Sequence, residues 1–317
     1  MTGAADPMPR IVLLCRDPAL EAWLAEVFAT HAPHLDVQRP GDADAGAAEV
    51  AVCWYPAAGS LDRLPALKLI HSIGSGVDHL EQDPSQPLNV PVCRVVDPDH
   101  SLGMAEYVHW GVLHFHRRFD QVLNGRSTQQ WQRPVQRTAR DFQVGVMGLG
   151  AIGTPVARRL ADAGYAVRGW ARTARELPDV ATYAGDAARD DFLNGLDVLI
   201  NLLPLTPATQ GLLAHEVFDR LAPGAALINC GRGGHVNEAH LLEALDRGRL
   251  RGALLDVFEQ EPLSVDSPLW RCPQVWITPH MASAASDACI ATQVAENVRR
   301  LGAGLPLNNL VDPALGY

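Results

Sequence analysis

Gln143-Val144-Gly145-Val146-Met147-Gly148-Leu149-Gly150-Ala151-Ile152-Gly153 joins a short apolar run to the start of a helical stretch. The spacing Gly148-x-Gly150-x-x-Gly153 suits a turn that cradles a pyrophosphate. The first glycine permits a tight turn, the second lets backbone approach phosphate, and the third lets helix and strand pack closely. The amides of Ala151 and Ile152 then point at the phosphates from a helix N-terminus. Such a turn also serves plain packing, so its meaning depends on its surroundings.

Downstream the rhythm of strand, turn and helix repeats. Residues 143–148, 166–170, 197–202, 225–230, 252–257 and 275–278 are short, apolar and bounded by turn formers, enough for a full dinucleotide-binding sheet. Upstream, residues 10–15, 49–54, 68–73 and 92–96 read as buried parallel strands, with a helical pattern over 19–30. The fold class expected is therefore α/β, with two doubly wound parallel-sheet domains. Ser101 is placed to cap a long helix reaching about Phe119, and the polar stretch 124–140 reads as an extended arm. Residues 286–301 form a last amphipathic stretch.

The second strand of the larger sheet runs into Arg168-Gly169-Trp170-Ala171-Arg172-Thr173-Ala174-Arg175. An NAD site usually places an acid here, to accept from the ribose 2′-hydroxyl. No acid occurs before Glu176, while Arg172, Thr173 and Arg175 offer donors and positive charge. That favours the 2′-phosphate of NADP(H), with NAD(H) a possible but poorer ligand.

Composition limits the rest. The chain has 317 residues, 47% of them hydrophobic, and a net charge of −10. The length calls for two domains, and the acidic balance argues against a nucleic-acid partner. No apolar run approaches a membrane span, and the opening residues do not read as a signal peptide. The six cysteines include no CxxC pair, which fits buried free thiols in a reducing cytoplasm. His109, His114 and His116 lack helical zinc spacing, so no metal is expected, and no GxSxG elbow occurs.

Three groups fall at or beyond the ends of later strands, where open α/β sheets bind ligands. They are Asn229-Cys230-Gly231-Arg232-Gly233, Asp256-Val257-Phe258-Glu259-Gln260-Glu261-Pro262 and Thr278-Pro279-His280. With Gly74-Ser75-Gly76-Val77-Asp78, Met104-Ala105-Glu106-Tyr107 and Leu203-Pro204-Leu205-Thr206-Pro207, the chain resembles the D-isomer-specific 2-hydroxyacid dehydrogenase family. Within it, Trp54-Tyr55-Pro56, Arg117-Arg118-Phe119-Asp120, Trp170-Ala171-Arg172 and Ser267-Pro268-Leu269-Trp270 resemble the glyoxylate/hydroxypyruvate reductase A group.

The resemblance implies that Arg232 clamps the carboxylate and carbonyl of a small 2-keto or 2-hydroxy acid. It makes His280 the general acid and Glu261 its partner, with Glu259 a nearby rival. The chemistry agrees: a guanidinium fork matches adjacent carboxylate and carbonyl oxygens, and an imidazolium can protonate the oxygen that gains charge. The resemblance also implies cofactor contacts at Leu203, Pro204, Thr209, Cys230, Arg232, Asp256, His280 and Ser283, with Asp256 at the nicotinamide carboxamide. Trp54 and Tyr55 become pocket walls, and Gly74, Ser75 and Gly76 become amide donors to the substrate carboxylate.

Further implications are a Rossmann cofactor domain, residues 101–285, inserted into a flavodoxin-like substrate domain made of 1–100 and 286–317. A homodimer built on the long helix and the arm after it also follows, with Trp131 as anchor. Two other functions compete: an NAD-dependent dehydrogenase of larger D-2-hydroxy acids, and a dinucleotide-sensing binding protein.

Overall fold

The computed structural model describes residues 8–312, apart from Gln82, Pro84, Thr128 and Gln130. The chain divides into two compact units, a central one of Pro98–Ala284 and a flanking one of Met1–Asp97 with Ala285–Tyr317.

The flanking unit carries β1 (Ile11–Cys15), β2 (Val37–Gln38), β3 (Val50–Trp54), β4 (Leu69–Ser72) and β5 (Val92–Cys93). All are parallel, in the order β2-β1-β3-β4-β5. Alternation along β1 sends Ile11 and Leu13 to one core and Val12 and Leu14 to another, so both faces of the sheet are covered. One cover includes the returning helix Asp287–Gly302, whose N-cap Ser286 accepts from the Cys289 amide.

The central unit carries β6 (Gln143–Met147), β7 (Ala166–Ala171), β8 (Val180–Ala184), β9 (Val198–Asn201), β10 (Ala225–Asn229), β11 (Leu250–Leu255) and β12 (Val275–Ile277). Its parallel sheet runs β12-β11-β10-β9-β6-β7-β8. The order reverses at β6, which puts the glycine turn at the switch point where such sheets bind ligands. Together the two sheets form the α/β architecture expected. Among the described residues no helix is long and apolar enough to cross a membrane.

Several local expectations change. The long helix is Pro98–His116, because Pro98 takes the first helical position, where its missing amide costs nothing. Ser101 lies inside the first turn and donates to the Ala151 carbonyl at 3.2 Å. The helix stops short of Phe119 because Arg118 adopts a left-handed φ of +62°, after which Phe119–Ser127 forms a second helix. The arm is therefore shorter than 124–140. Its Thr128 and Gln130 lie outside the described residues, while Trp131 is fully exposed at 101%. β2 and β8 are added edge strands, too short or too half-buried to show a strong apolar run.

His71, in β4, is fully buried. Its Nδ1 faces the Ser72 carbonyl at 2.9 Å, and its Nε2 faces the Asn297 amide nitrogen at 3.1 Å. A carbonyl requires a donor and an amide nitrogen an acceptor, so the ring is the neutral Nδ1–H tautomer. Burial pushes its pKa down from 6.5 to about 4. The unfolded chain then binds a proton that the folded one refuses, so stability falls as pH drops from 6.5 towards 4. The loss is about 2 kcal/mol by pH 5. Urea unfolding at pH 7 and pH 5 should show this loss in the wild type and much less of it in His71→Gln. Equal losses in both would contradict the assignment.

Candidate active site

The glycine turn is built as its spacing predicts. Gly148 has φ +98°, and a Cβ there would lie 2.8 Å from the Leu202 carbonyl oxygen. A Cβ on Gly153 would fall 1.7 Å from the Gly148 carbonyl oxygen, so only glycine lets the helix Gly153–Asp162 begin here. A Cβ on Gly150 would meet nothing within 4 Å. Ile152, the N-cap, supplies no capping side chain. The Thr154 amide donates to the Gly150 carbonyl at 3.1 Å and Pro155 has no N–H, so the donors this turn can offer an anion are the amides of Ala151 and Ile152 ahead of them. This cradle fits a pyrophosphate. Beyond β7, Arg172, Thr173 and Arg175 are all exposed on the following loop.

The loops after β10, β11 and β12 carry the three chemical residues. Arg232 is half-buried, and one guanidinium nitrogen donates to the Gly231 carbonyl at 2.9 Å. The glycines that bracket it have packing reasons. A Cβ on Gly233 would sit 1.7 Å from the Phe258 carbonyl carbon, and one on Gly231 would sit 2.8 Å from Asn201 Nδ2. The Arg232 turn therefore lies directly against the loop that carries Glu261.

Glu261 Oε2 meets His280 Nδ1 at 2.7 Å, and its Oε1 accepts from the Phe258 amide at 2.9 Å. Burial alone would push Glu261 up. The hydrogen bonds from His280 and the Phe258 amide, then the charges of His280 and Arg232, outweigh it and hold the carboxyl below its ordinary value. Glu259 is not the partner. Its backbone meets the carboxyl of Glu238, which burial raises. With Nδ1 bound to Glu261, Nε2 is the His280 atom left to face a substrate.

His280 has a left-handed φ of +50°. Its amide donates to the Asp256 and Thr278 carbonyls at 2.8 and 3.1 Å. The buried Asp256 carboxylate accepts from Thr278 Oγ1 at 2.7 Å and from the Met281 and Ala282 amides at 2.9 Å each. Tyr107, kept protonated by burial, donates to Thr278 Oγ1 at 2.5 Å. Asp256 thus organises the His280 loop, a role its sequence position did not reveal.

The remaining cofactor candidates are spread over neighbouring loops. Leu203 and Pro204 follow β9, and Thr209 Oγ1 donates to the Pro204 carbonyl at 2.8 Å. Cys230 is buried, and burial pushes its thiol well above the ordinary range, so it offers no thiolate. Ser283 donates to the His100 carbonyl at 2.7 Å, which ties its loop to the long helix. Among the described residues no group of three or more His, Cys, Asp and Glu side chains is arranged to hold a metal ion.

The flanking unit gathers Trp54, Tyr55 and the Gly74-Ser75-Gly76 turn. A Cβ on Gly74 would lie 2.5 Å from the Trp54 ring, so the indole packs directly on this turn. Tyr55 has φ +47°, and its ring meets Trp54 edge-on at 5.3 Å. His79, which the sequence did not single out, packs against both rings at 4.8 and 5.2 Å. The Gly74 amide donates to Ser72 Oγ at 3.1 Å.

A glycine-cradled switch point with an arginine and a carboxylate-paired histidine on later strand ends defines a dinucleotide-dependent oxidoreductase site. Residues 110–282 match the D-isomer specific 2-hydroxyacid dehydrogenase family, NAD binding domain. The chain is 39% identical to glyoxylate/hydroxypyruvate reductase A of Serratia proteamaculans, over 94% of this chain and 96% of that one. A D-isomer specific 2-hydroxyacid dehydrogenase family protein from Klebsiella pneumoniae superposes with a TM-score of 0.90 at 48% identity, over 97% and 99% of the two chains. So does an NADPH-dependent glyoxylate/hydroxypyruvate reductase from Sinorhizobium meliloti solved with NADP and sulfate (TM-score 0.90, 35% identity, 98% and 100%). The chain belongs to the D-isomer-specific 2-hydroxyacid dehydrogenase family.

The glycines separate folding from ligand binding. Gly150→Ala adds a methyl in open space, so its melting temperature should match the wild type while NADPH binding weakens at least about tenfold. Gly153→Ala must displace backbone, and overpacking of this kind costs about 1–3 kcal/mol. Thermal melts and NADPH titration read both effects. Undiminished NADPH binding in Gly150→Ala would remove the pyrophosphate from this turn.

Proposed function

We propose that this chain reduces small 2-keto acids, glyoxylate and hydroxypyruvate among them, to D-2-hydroxy acids with NADPH as preferred reductant. Family membership makes it an NAD(P)-dependent oxidoreductase. The observation that carries the reading is the 2.7 Å contact of His280 Nδ1 with Glu261 Oε2, in a loop packed against the Arg232 turn. The relatives named for glyoxylate and hydroxypyruvate, one of them solved with NADP, support the choice of substrate and cofactor.

When bound, NADPH supplies a hydride to the carbonyl carbon. The amides of Ala151 and Ile152, beside Gly148, Gly150 and Gly153, would hold its pyrophosphate. Arg172, Thr173 and Arg175 would hold the 2′-phosphate; NADH lacks that group and would bind less well. Leu203, Pro204, Thr209, Cys230, Asp256 and Ser283 would complete the cofactor's surroundings, Asp256 mainly by fixing the His280 loop. The Arg232 guanidinium takes the substrate carboxylate and carbonyl, so the acid is met by a local cation despite the chain's negative charge. His280 Nε2 gives its proton to the carbonyl oxygen as charge develops there. Glu261 fixes the ring plane through Nδ1.

In this reading the central unit is the cofactor domain, and the Trp54–Tyr55 wall with the Ser75 and Gly76 amides contributes substrate contacts. The protein is also proposed to be a homodimer. Trp110 and Leu113 on the long helix, Phe119 and Leu123 on the next, and Trp131 all expose apolar surface that a second copy could cover. Six free cysteines suit a cytoplasmic setting.

Steady-state NADPH oxidation with glyoxylate and hydroxypyruvate tests the activity. Replacing Arg172 and Arg175 together by Ala should raise KM for NADPH at least about tenfold, through loss of charge-assisted bonds, while KM for NADH stays nearly constant. Equal changes for both cofactors would detach these arginines from the 2′-phosphate. No turnover of either keto acid would reject the substrate class.

A further inference from the structure

β9 and β10 each end on a polar residue, Asn201 and Asn229, which pair in register and are fully buried. A buried amide without partners is costly, so the bonds these two make are informative. Asn201 Nδ2 donates to Asn229 Oδ1 at 2.8 Å and to His235 Nδ1 at 2.9 Å. Asn201 Oδ1 accepts from the Leu203 amide at 3.3 Å, and Asn229 Nδ2 donates to the Arg232 carbonyl at 3.0 Å.

His235 completes the group and is itself fully buried. Its Nδ1 also accepts the Arg232 amide at 3.1 Å, while its Nε2 faces the Pro204 carbonyl at 3.1 Å. Two N–H donors converge on Nδ1, which also lies 3.1 Å from the Arg232 carbonyl, whereas Nε2 faces the Pro204 carbonyl, an acceptor that needs a donor. The hydrogen therefore sits on Nε2, which gives it to Pro204. The ring is thus held neutral in one tautomer. Arg232 has both its amide and its carbonyl gripped by buried side chains, and the Leu203-Pro204 segment is gripped by the same group.

We propose that His235 is a positioning residue whose two ring nitrogens serve two ligands. Nδ1 sets the Arg232 turn for the keto acid, and Nε2 sets the Pro204 segment for the cofactor. The proposal rests on the reading of Arg232 as substrate clamp and Pro204 as cofactor contact. His235 touches neither ligand and acts by fixing the backbone between them.

Two substitutions divide the ring's duties. In His235→Asn the carboxamide oxygen occupies the place of Nδ1, which keeps the Arg232 bond and loses the Pro204 bond. In His235→Gln the amide nitrogen reaches the place of Nε2, which keeps Pro204 and loses Arg232. His235→Asn should weaken NADPH binding about tenfold, by fluorescence titration, with KM for hydroxypyruvate nearly unchanged; His235→Gln should do the reverse. A merely structural histidine would move both constants in parallel in both variants, and that result, or no change in either, overturns the proposal.

Arg232→Ala separates this failure from failure of the underlying reading. If it leaves KM for hydroxypyruvate unchanged, the clamp itself is wrong; if it raises KM while His235→Gln does not, only the positioning role falls. Should the His235 variants not fold, ¹⁵N-histidine NMR of the wild type decides. It should show an unprotonated Nδ1 and a protonated Nε2 for His235, and a protonated Nδ1 would overturn the proposal.

Discussion

The buried carboxylate of Asp256 is the constraint on which the chemistry depends. Its two oxygens accept from Thr278 Oγ1 and from the amides of Met281 and Ala282, so the backbone on both sides of His280 is tied to one anion. That grip supports His280 at a φ of +50°, a conformation that costs a non-glycine residue about 1–3 kcal/mol. The strained backbone turns Nδ1 to Glu261 and leaves Nε2 for a substrate. Asp256 thereby fixes which His280 ring atom meets Glu261.

The Arg232 turn shows the same logic with close packing in place of charge. Gly233 lies so near the Phe258 backbone that any side chain would overlap it, so the turn bearing the cation packs directly on the loop bearing Glu261. The Glu261 carboxyl, which burial would raise, is held below its ordinary value chiefly by hydrogen bonds from His280 and the Phe258 amide, with the charges of His280 and Arg232 adding to them. Cation, carboxylate and imidazole stand on three strand ends at one edge of the sheet. Preorganisation of this kind is what lets modest groups stabilise charge that exists only in the transition state.

The glycine turn and the α/β class were legible in the sequence because they rest on local sterics and apolar periodicity, whereas the roles of Arg232, Glu261 and His280 were implied by the family resemblance. Gly148 is required by its φ of +98° and Gly153 by its contact with the Gly148 carbonyl, so their spacing carries the fold. Local pattern could not separate Glu259 from Glu261, two acids in one loop; the family resemblance chose Glu261, and it is Glu261 that meets His280. The Asn201–Asn229–His235 group was not legible, since its members lie 28 and 34 positions apart and meet only when β9 and β10 pair. Polar residues closing two otherwise apolar strands were the available signal. Edge strands β2 and β8 escaped because half-buried positions carry little apolar pattern. Ser101 misled as a cap because Pro98 starts the helix three residues earlier.

The central proposal is that Glu261, bound to Nδ1 at 2.7 Å, fixes the His280 ring so that Nε2 is the atom presented to the keto acid. Single-turnover hydroxypyruvate reduction in wild type and Glu261→Gln tests it most directly. The account predicts that Glu261→Gln slows the chemical step at least about tenfold, with NADPH affinity retained. An unchanged single-turnover rate in Glu261→Gln would contradict it.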